Sequence, residues 1–193
     1  PYHKSVCNIG YLGKGKYKCK INKKLTKEYI FWSSMINRCY NISYLERNPL
    51  YKNIEICEES LNFQNFAKWF KKNYINNCEL DKDILIKGNK IYSPKTCCFV
   101  PQEINKLFTK SNKVRGILPI GVQYRKDIKK FKSTLSKENK QVHLGYYDTP
   151  EEAFNIYKIE KEKYIKEMAD KYKLIISDLI FNKLYEYNVE ITD

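Results

Sequence analysis

Three short runs near the C-terminal end of the chain carry hydrogen-bonding or cationic side chains at every second position. Gln123 and Arg125 alternate with Val122 and Tyr124. Lys130, Lys132 and Thr134 alternate with Phe131, Ser133 and Leu135. Gln141 and His143 alternate with Val142 and Leu144. A period of two belongs to a strand, so each run separates into two faces. One face is apolar and fits against a helix. The other presents Arg, Lys, Gln, Thr and His, which supply phosphate contacts and hydrogen bonds to base edges. No acid occupies these outer positions. The plainer reading is a solvated sheet face.

The elements needed to hold such a face are legible around it. Strands are expected over 121–125, 130–136 and 141–146, joined by short polar connections. Pro150 opens a helix in its first turn, with Asp148 or Thr149 as cap and Glu151 and Glu152 at its positive end. Ala153, Tyr157, Tyr164, Met168 and Tyr172 continue one face of that helix, and a last helix is expected over about 177–187. Upstream, 109–118 carries Lys110, Lys113 and Arg115 without an acid and reads as a basic linker. Trp32, Met35, Ile36 and Cys39 mark a helix over 27–41, with Arg38 beside its apolar stripe, placed to snorkel or to bind phosphate. Residues 54–57 read as a short strand. Phe63, Phe66, Ala67, Phe70 and Tyr74 mark a second helix flanked by Trp69. Segment 79–108 reads as strand, turn, strand and helix start. Lys14, Lys16, Lys18 and Lys20 alternate with Gly15, Tyr17 and Cys19. This predicts an extended segment with one lysine face, which either follows a phosphate backbone or protects an edge strand.

The whole composition narrows the class of partner. The chain has 193 residues, 42% of them hydrophobic, with 36 Lys plus Arg against 22 Asp plus Glu and a net charge of +14. That is room for one ordinary domain or two small ones, with a field that attracts polyanions. The basic residues are spread along the chain and not gathered on one amphipathic helix, which favours nucleic acid over a membrane surface. No apolar run is long enough to cross a bilayer. The start, Pro1-Tyr2-His3-Lys4, leads into no apolar stretch, so no secretory signal is expected and the chain reads as intracellular and cytoplasmic. The seven cysteines, Cys7, Cys19, Cys39, Cys57, Cys78, Cys97 and Cys98, are odd in number and form no Cys-x-x-Cys pair. Disulfides and a structural zinc are not expected, and Cys97-Cys98 read as small core residues on a strand.

Two resemblances sharpen this. Ile120-Gly121-Val122, Lys130-Phe131-Lys132 and the run His143-Leu144-Gly145-Tyr146-Tyr147-Asp148-Thr149-Pro150-Glu151-Glu152-Ala153-Phe154-Asn155-Ile156-Tyr157 resemble the DNA-binding domain of plant ethylene-response factors, the APETALA-type domain. The resemblance covers about 119–172. It implies a sheet in the major groove of double-stranded DNA, contacting it through Gln123, Arg125, Lys130, Lys132, Thr134, Ser136, Gln141 and His143. Asp127 and His143 stand where plant members have tryptophan, and Gln123 and Ser136 where they have arginine, so the plant target sequence does not transfer. Leu80-Asp81-Lys82-Asp83, with Gly88-Asn89, Tyr92-Ser93-Pro94, Cys97 and Asn105, is similar to the hairpin-and-helix core of HNH nucleases. The order of the whole chain resembles homing-endonuclease-like proteins of phages and mobile elements. That similarity implies catalytic positions at Asp81, Lys82, Asp83, Asn89 and Asn105, with Asp81 and Asp83 as ligands of Mg²⁺. Lys82 stands where the family has its catalytic histidine. A lysine of ordinary pKa, near 10.4, is protonated at neutral pH and a poor general base. Without the surrounding pattern, Asp81 and Asp83 read as a solvated turn, and Lys82 with Asp83 as a structural ion pair.

The expected fold class is α+β. An N-terminal helical region with an HNH-like ββα core occupies 1–108, and the linker occupies 109–118. A three-stranded antiparallel sheet packed on one helix, plus a C-terminal helix, fills 119–193. The functional expectation is double-stranded DNA binding, as a metal-dependent homing-type endonuclease or as a non-catalytic regulator or inhibitor with a degenerate core. A third reading, RNA binding, fits the basic sheet less well, because RNA-binding sheets expose stacking aromatics.

Overall fold

The apolar stripe at 32, 35, 36 and 39 has helical spacing, and the chain is helical there, with α1 at Lys27–Tyr40. Trp32, Met35, Ile36 and Cys39 are all buried. The structure is a computed structural model that describes residues 2–108, 117–191 and 193, so most of the expected basic linker, with Lys110, Lys113 and Arg115, lies outside the described residues. The chain divides into two compact units, Pro1–Val100 and Pro101–Asp193. Both mix helices with small sheets, an α+β architecture. Among the described residues no helix is long and apolar enough to cross a membrane.

In the first unit, α1 is followed by α2 (Ile42–Arg47), a 3₁₀ turn at Pro49–Tyr51, α3 (Glu58–Leu61) and α4 (Phe63–Asn73). Asn62 starts α4 by accepting the Gln64 N–H at 2.9 Å, as an N-cap should. Phe63, Phe66, Ala67 and Phe70 then face α1 and are buried. Each large apolar side chain so removed from water contributes about 1.5–3 kcal/mol. Polar ties fix the contact: Trp32 Nε1 donates to the Ser60 carbonyl at 2.9 Å. The buried Glu28 carboxylate takes Lys71 Nζ at 3.1 Å.

The strands of this unit are short: β1 (Lys4–Val6) with β2 (Gly10–Tyr11), β3 (Lys20–Ile21) with β4 (Lys24–Leu25), β5 (Glu55–Ile56) with β7 (Ile91–Tyr92), and β6 (Cys78–Asp81) with β8 (Cys98–Pro101). The lysine-alternating segment 14–20 is not a continuous strand. Its loop is held by one side chain: Gln64 accepts from Tyr17 N–H and donates to the Leu12 and Tyr17 carbonyls. A side chain thus takes the backbone groups that a neighbouring strand would have taken. Cys97 and Cys98 are buried as expected.

In the second unit, α5 (Gln102–Leu107) precedes a three-stranded antiparallel sheet: β9 (Val122–Arg125), β10 (Lys130–Lys137) and β11 (Lys140–Tyr147), in the order β11-β10-β9. The long helix α6 (Pro150–Lys171) lies on this sheet, and α7 (Asp178–Tyr185) packs on α6. The start of α6 is a capping box with proline in the first turn: Glu152 N–H donates to Thr149 Oγ1 at 3.2 Å and Thr149 N–H to Glu152 Oε2 at 3.3 Å. Val122, Ser133, Leu135, Ala153, Tyr157, Tyr164, Ile165 and Met168 are buried in this unit. Gly121 has φ +78°, and a Cβ there would meet the Tyr157 ring at 2.1 Å, so glycine is required where the chain enters β9.

Candidate nucleic-acid interface

The register of the sheet decides which side chains share a face. Lys132 pairs with Gln123 and Lys130 with Arg125. Thr134 pairs with His143 and Ser136 with Gln141. The sheet therefore gathers all eight expected contact residues on one face. The opposite face carries Val122, Ser133 and Leu135, buried under α6, and Tyr124 against Phe131 with ring centroids 5.1 Å apart.

One strand departs from simple alternation. The register slips between Ser133 and Thr134, so that Ser133 faces Gly145 while Thr134 faces His143, and Leu144 becomes the extra residue of a β-bulge. Gly145 sits there with φ +138°. A bulge inserts one residue and flips the alternation beyond it. Tyr146, opposite Lys132, thus joins the outer face, 41% exposed, with its ring 4.6 Å from that of His143. The sequence pattern did not place Tyr146 there. Its only signal is the glycine interrupting an alternating run. The expectation of an outer face without aromatics is corrected accordingly.

No acid lies on the outer strand positions, but two stand just beyond the strand ends. Asp127 lies in the β9–β10 turn, and Arg125 donates to it through Nε at 2.9 Å and Nη2 at 2.7 Å. That fork raises the Arg125 pKa and holds the Asp127 carboxyl below its ordinary value. Lys130 Nζ lies 3.1 Å from Asp148. Among the described residues Lys132 has no carboxylate partner, and Lys126, Lys129 and Lys140 are exposed in or beside the turns. Lys137 points the other way, over the Tyr164 ring and toward Glu167 at 3.5 Å.

In the first unit, Asp81, Lys82, Asp83 and Asn89 come together, while Asn105 is carried by α5 of the second unit. The Lys82 ammonium, its side chain only 10% exposed, donates to both Asp83 oxygens at 2.7 Å and to the Asn89 carbonyl at 3.1 Å. Asn89 Nδ2 closes the loop by donating to the Lys82 and Ile91 carbonyls. Asp81 Oδ1 accepts the Asp83 and Ile84 amides at 2.7 and 2.8 Å, which ends β6 and turns the chain. Burial raises the Asp81 pKa, against the pull of those two amides. The expected order of strand, turn, strand and helix start is present as β6, β8 and α5, with β6 paired to β8; β7, between them, pairs in parallel with β5.

These donors do not suit Mg²⁺. A hard divalent cation wants several free, ionised oxygen ligands. Both Asp83 oxygens are occupied by an ammonium, and Asp81 Oδ1 caps a turn. Among the described residues no group of three His, Cys, Asp or Glu side chains is placed to hold a metal.

A second cation stands beside this cluster. The Arg38 guanidinium lies over the Tyr92 ring at 5.6 Å, and Lys82 Nζ lies 5.9 Å from the same ring. Burial pushes the Tyr92 phenol far up and the Cys39 thiol to about 11, both against the pull of Arg38. The chain matches no protein-family model, no curated protein and no solved structure.

Proposed function

We propose that the chain binds double-stranded DNA with the outer face of the β9–β11 sheet and does not cleave it through the Asp81–Asp83 cluster. The carrying observation is the set of four cross-strand pairs, Gln123–Lys132, Arg125–Lys130, Thr134–His143 and Ser136–Gln141, on one face of a sheet whose other face buries Val122, Ser133 and Leu135 under α6. A small twisted sheet fits the major groove, where every base pair presents a distinct pattern of donors and acceptors. Lys132 and the turn lysines supply phosphate contacts, which fix register. Gln123, Arg125, Gln141 and His143 supply base-edge contacts. Asp127 occupies Arg125 Nε and one Nη2 hydrogen, which leaves the outer Nη edge to donate to guanine O6 and N7.

The non-cleaving half of the reading is supported by the two Asp83 oxygens and Asp81 Oδ1, which already accept hydrogen bonds within the chain, and by a lysine, Lys82, where the nuclease family has its histidine base. The Tyr146–His143 pair is the observation that favours a second reading, single-stranded nucleic acid stacked on the sheet.

The test compares the parent chain with Arg125→Ala/Lys132→Ala for affinity to a labelled duplex and to the single strand of the same sequence, with a thermal melt of both proteins. The expected result is tighter duplex binding by the parent, lost in the variant at an unchanged melt. Equal duplex affinity of parent and variant removes the sheet from the interface. Preference for the single strand moves the assignment to the stacking reading. With Mg²⁺ present, discrete duplex cuts that vanish in Asp81→Asn would restore the nuclease reading.

A further inference from the structure

We propose that Arg38 forms, with the hydroxyls of Tyr44 and Tyr51, a site in the first unit for one phosphate group. DNA as the source of that phosphate rests on the sheet reading above, and the experiment below separates the two.

Arg38 is short of acceptors. No carboxylate lies within ion-pair distance of it among the described residues. Its Nε is buried and has no hydrogen-bond partner. The phenols of Tyr92, Tyr51 and Tyr44 are the groups near enough to act on its charge. Tyr92 covers one face of the guanidinium, 5.6 Å from its ring centroid. A ring beneath a guanidinium satisfies its charge from above but takes none of its donors, all five of which lie in the guanidinium plane. The guanidinium therefore keeps at least its Nε–H without an acceptor from the chain.

The neighbouring cation shows the contrast. Lys82, beside the same ring, has three acceptors, two of them on Asp83. The charge on Lys82 is matched by a carboxylate, and that on Arg38 is not. Phosphate suits Arg38 better than a carboxylic acid does. Its tetrahedral oxygens take an arginine fork in the guanidinium plane and still have lone pairs for phenol donors. Tyr44 and Tyr51 already lie against each other, with ring centroids 5.6 Å apart, so two phenols stand together beside the arginine. Arg47, on α2, stands within the electrostatic reach of Tyr44 and adds to the positive field. Tyr44 and Arg38 are both half-buried, so the group is partly open to solvent.

The test has two arms on the full chain. In the first, side-chain Nε–H resonances of ¹⁵N-arginine-labelled protein are followed during additions of inorganic phosphate and, separately, of a short duplex. The Arg38 resonance is assigned by its loss in Arg38→Lys. In the second, duplex affinity is measured against salt for the parent, Arg38→Met and Arg38→Lys. A phosphate contact contributes about 0.9 to the slope of log K on log salt. The expected result is a shift of the Arg38 resonance with both additions, a slope shallower by about one in Arg38→Met, and an unchanged slope in Arg38→Lys. A shift with inorganic phosphate alone, at unchanged slopes, supports the site and assigns it to a free anion. No shift with either addition overturns the proposal and leaves Arg38 a structural cation held by Tyr92. The first arm decides even if Arg38→Met fails to fold, because it uses the unaltered binding residues. Failure of the sheet reading has a different signature: Arg125→Ala/Lys132→Ala binds duplex as the parent does.

Discussion

Asp81 is a turn-forming residue, and its two amide bonds are worth more to the fold than its charge. Asp81→Asn keeps the Oδ1 acceptor and removes a half-buried charge, so its stability should stay within about 1 kcal/mol of the parent. Asp81→Ala leaves the Asp83 and Ile84 amides without their acceptor and should cost about 1–3 kcal/mol. Denaturant melts of the two variants decide this, and equal losses in both would contradict the capping role. Lys161 offers a pH test. Burial pushes its pKa down from 10.5 to about 8, with Asp193 pulling the other way. The folded state therefore disfavours the ammonium. Its penalty is fully present below the folded value and relieved as pH rises through about 8 toward the unfolded value. Lys161→Met should be more stable than the parent at neutral pH, with the difference shrinking between pH 8 and 10.5 in melts at each pH. A difference constant with pH would contradict the depressed value. The sequence grouped Asp81, Lys82, Asp83 and Asn89, and hydrogen bonds do join them. It did not show how their oxygens are spent, because that depends on where the backbone amides of 83 and 84 point.

Among the elements, β10 and α6 were legible because burial repeats with their own periods. Phe131, Ser133 and Leu135 alternate, and Ala153, Tyr157, Tyr164 and Met168 recur at helical spacing under a Thr149 cap. Two features were not legible. The lysine alternation at 14–20 imitates a strand, but Gln64, some 47 residues away along the chain, holds that backbone in a loop. The bulge at Leu144 flips Tyr146 outward, and strict alternation has no place for an inserted residue. The bulge gives a prediction. Gly145 has φ +138°, a region L-residues avoid, and a Cβ there would meet the Tyr147 hydroxyl at 2.7 Å. Gly145→Val should destabilise the second unit by about 1–3 kcal/mol and weaken duplex binding more than a distant change of equal stability cost. A variant that melts like the parent would show that the bulge is not needed. Tyr146→Ala should leave the melt unchanged and lower single-strand affinity more than duplex affinity, read by anisotropy with both ligands.

For the molecule as a whole, a net charge of +14 and a face bearing Arg125, Lys130 and Lys132 predict a strongly salt-dependent complex. If the face and its turn lysines make about four to six phosphate contacts, log K should fall with log salt at a slope of about −4 to −5. A slope near zero would contradict an electrostatic interface. The sequence changes pattern near Pro119, whereas the chain divides at Val100–Pro101. Binding through the sheet is read most directly by backbone amide chemical-shift mapping of the full chain during titration with a short duplex. The largest changes should fall along β9–β11 at Gln123, Arg125, Lys132, Thr134, Gln141, His143 and Tyr146, with the buried Val122, Leu135 and Ala153 moving little. Saturable binding that leaves those strands unshifted would contradict a sheet interface.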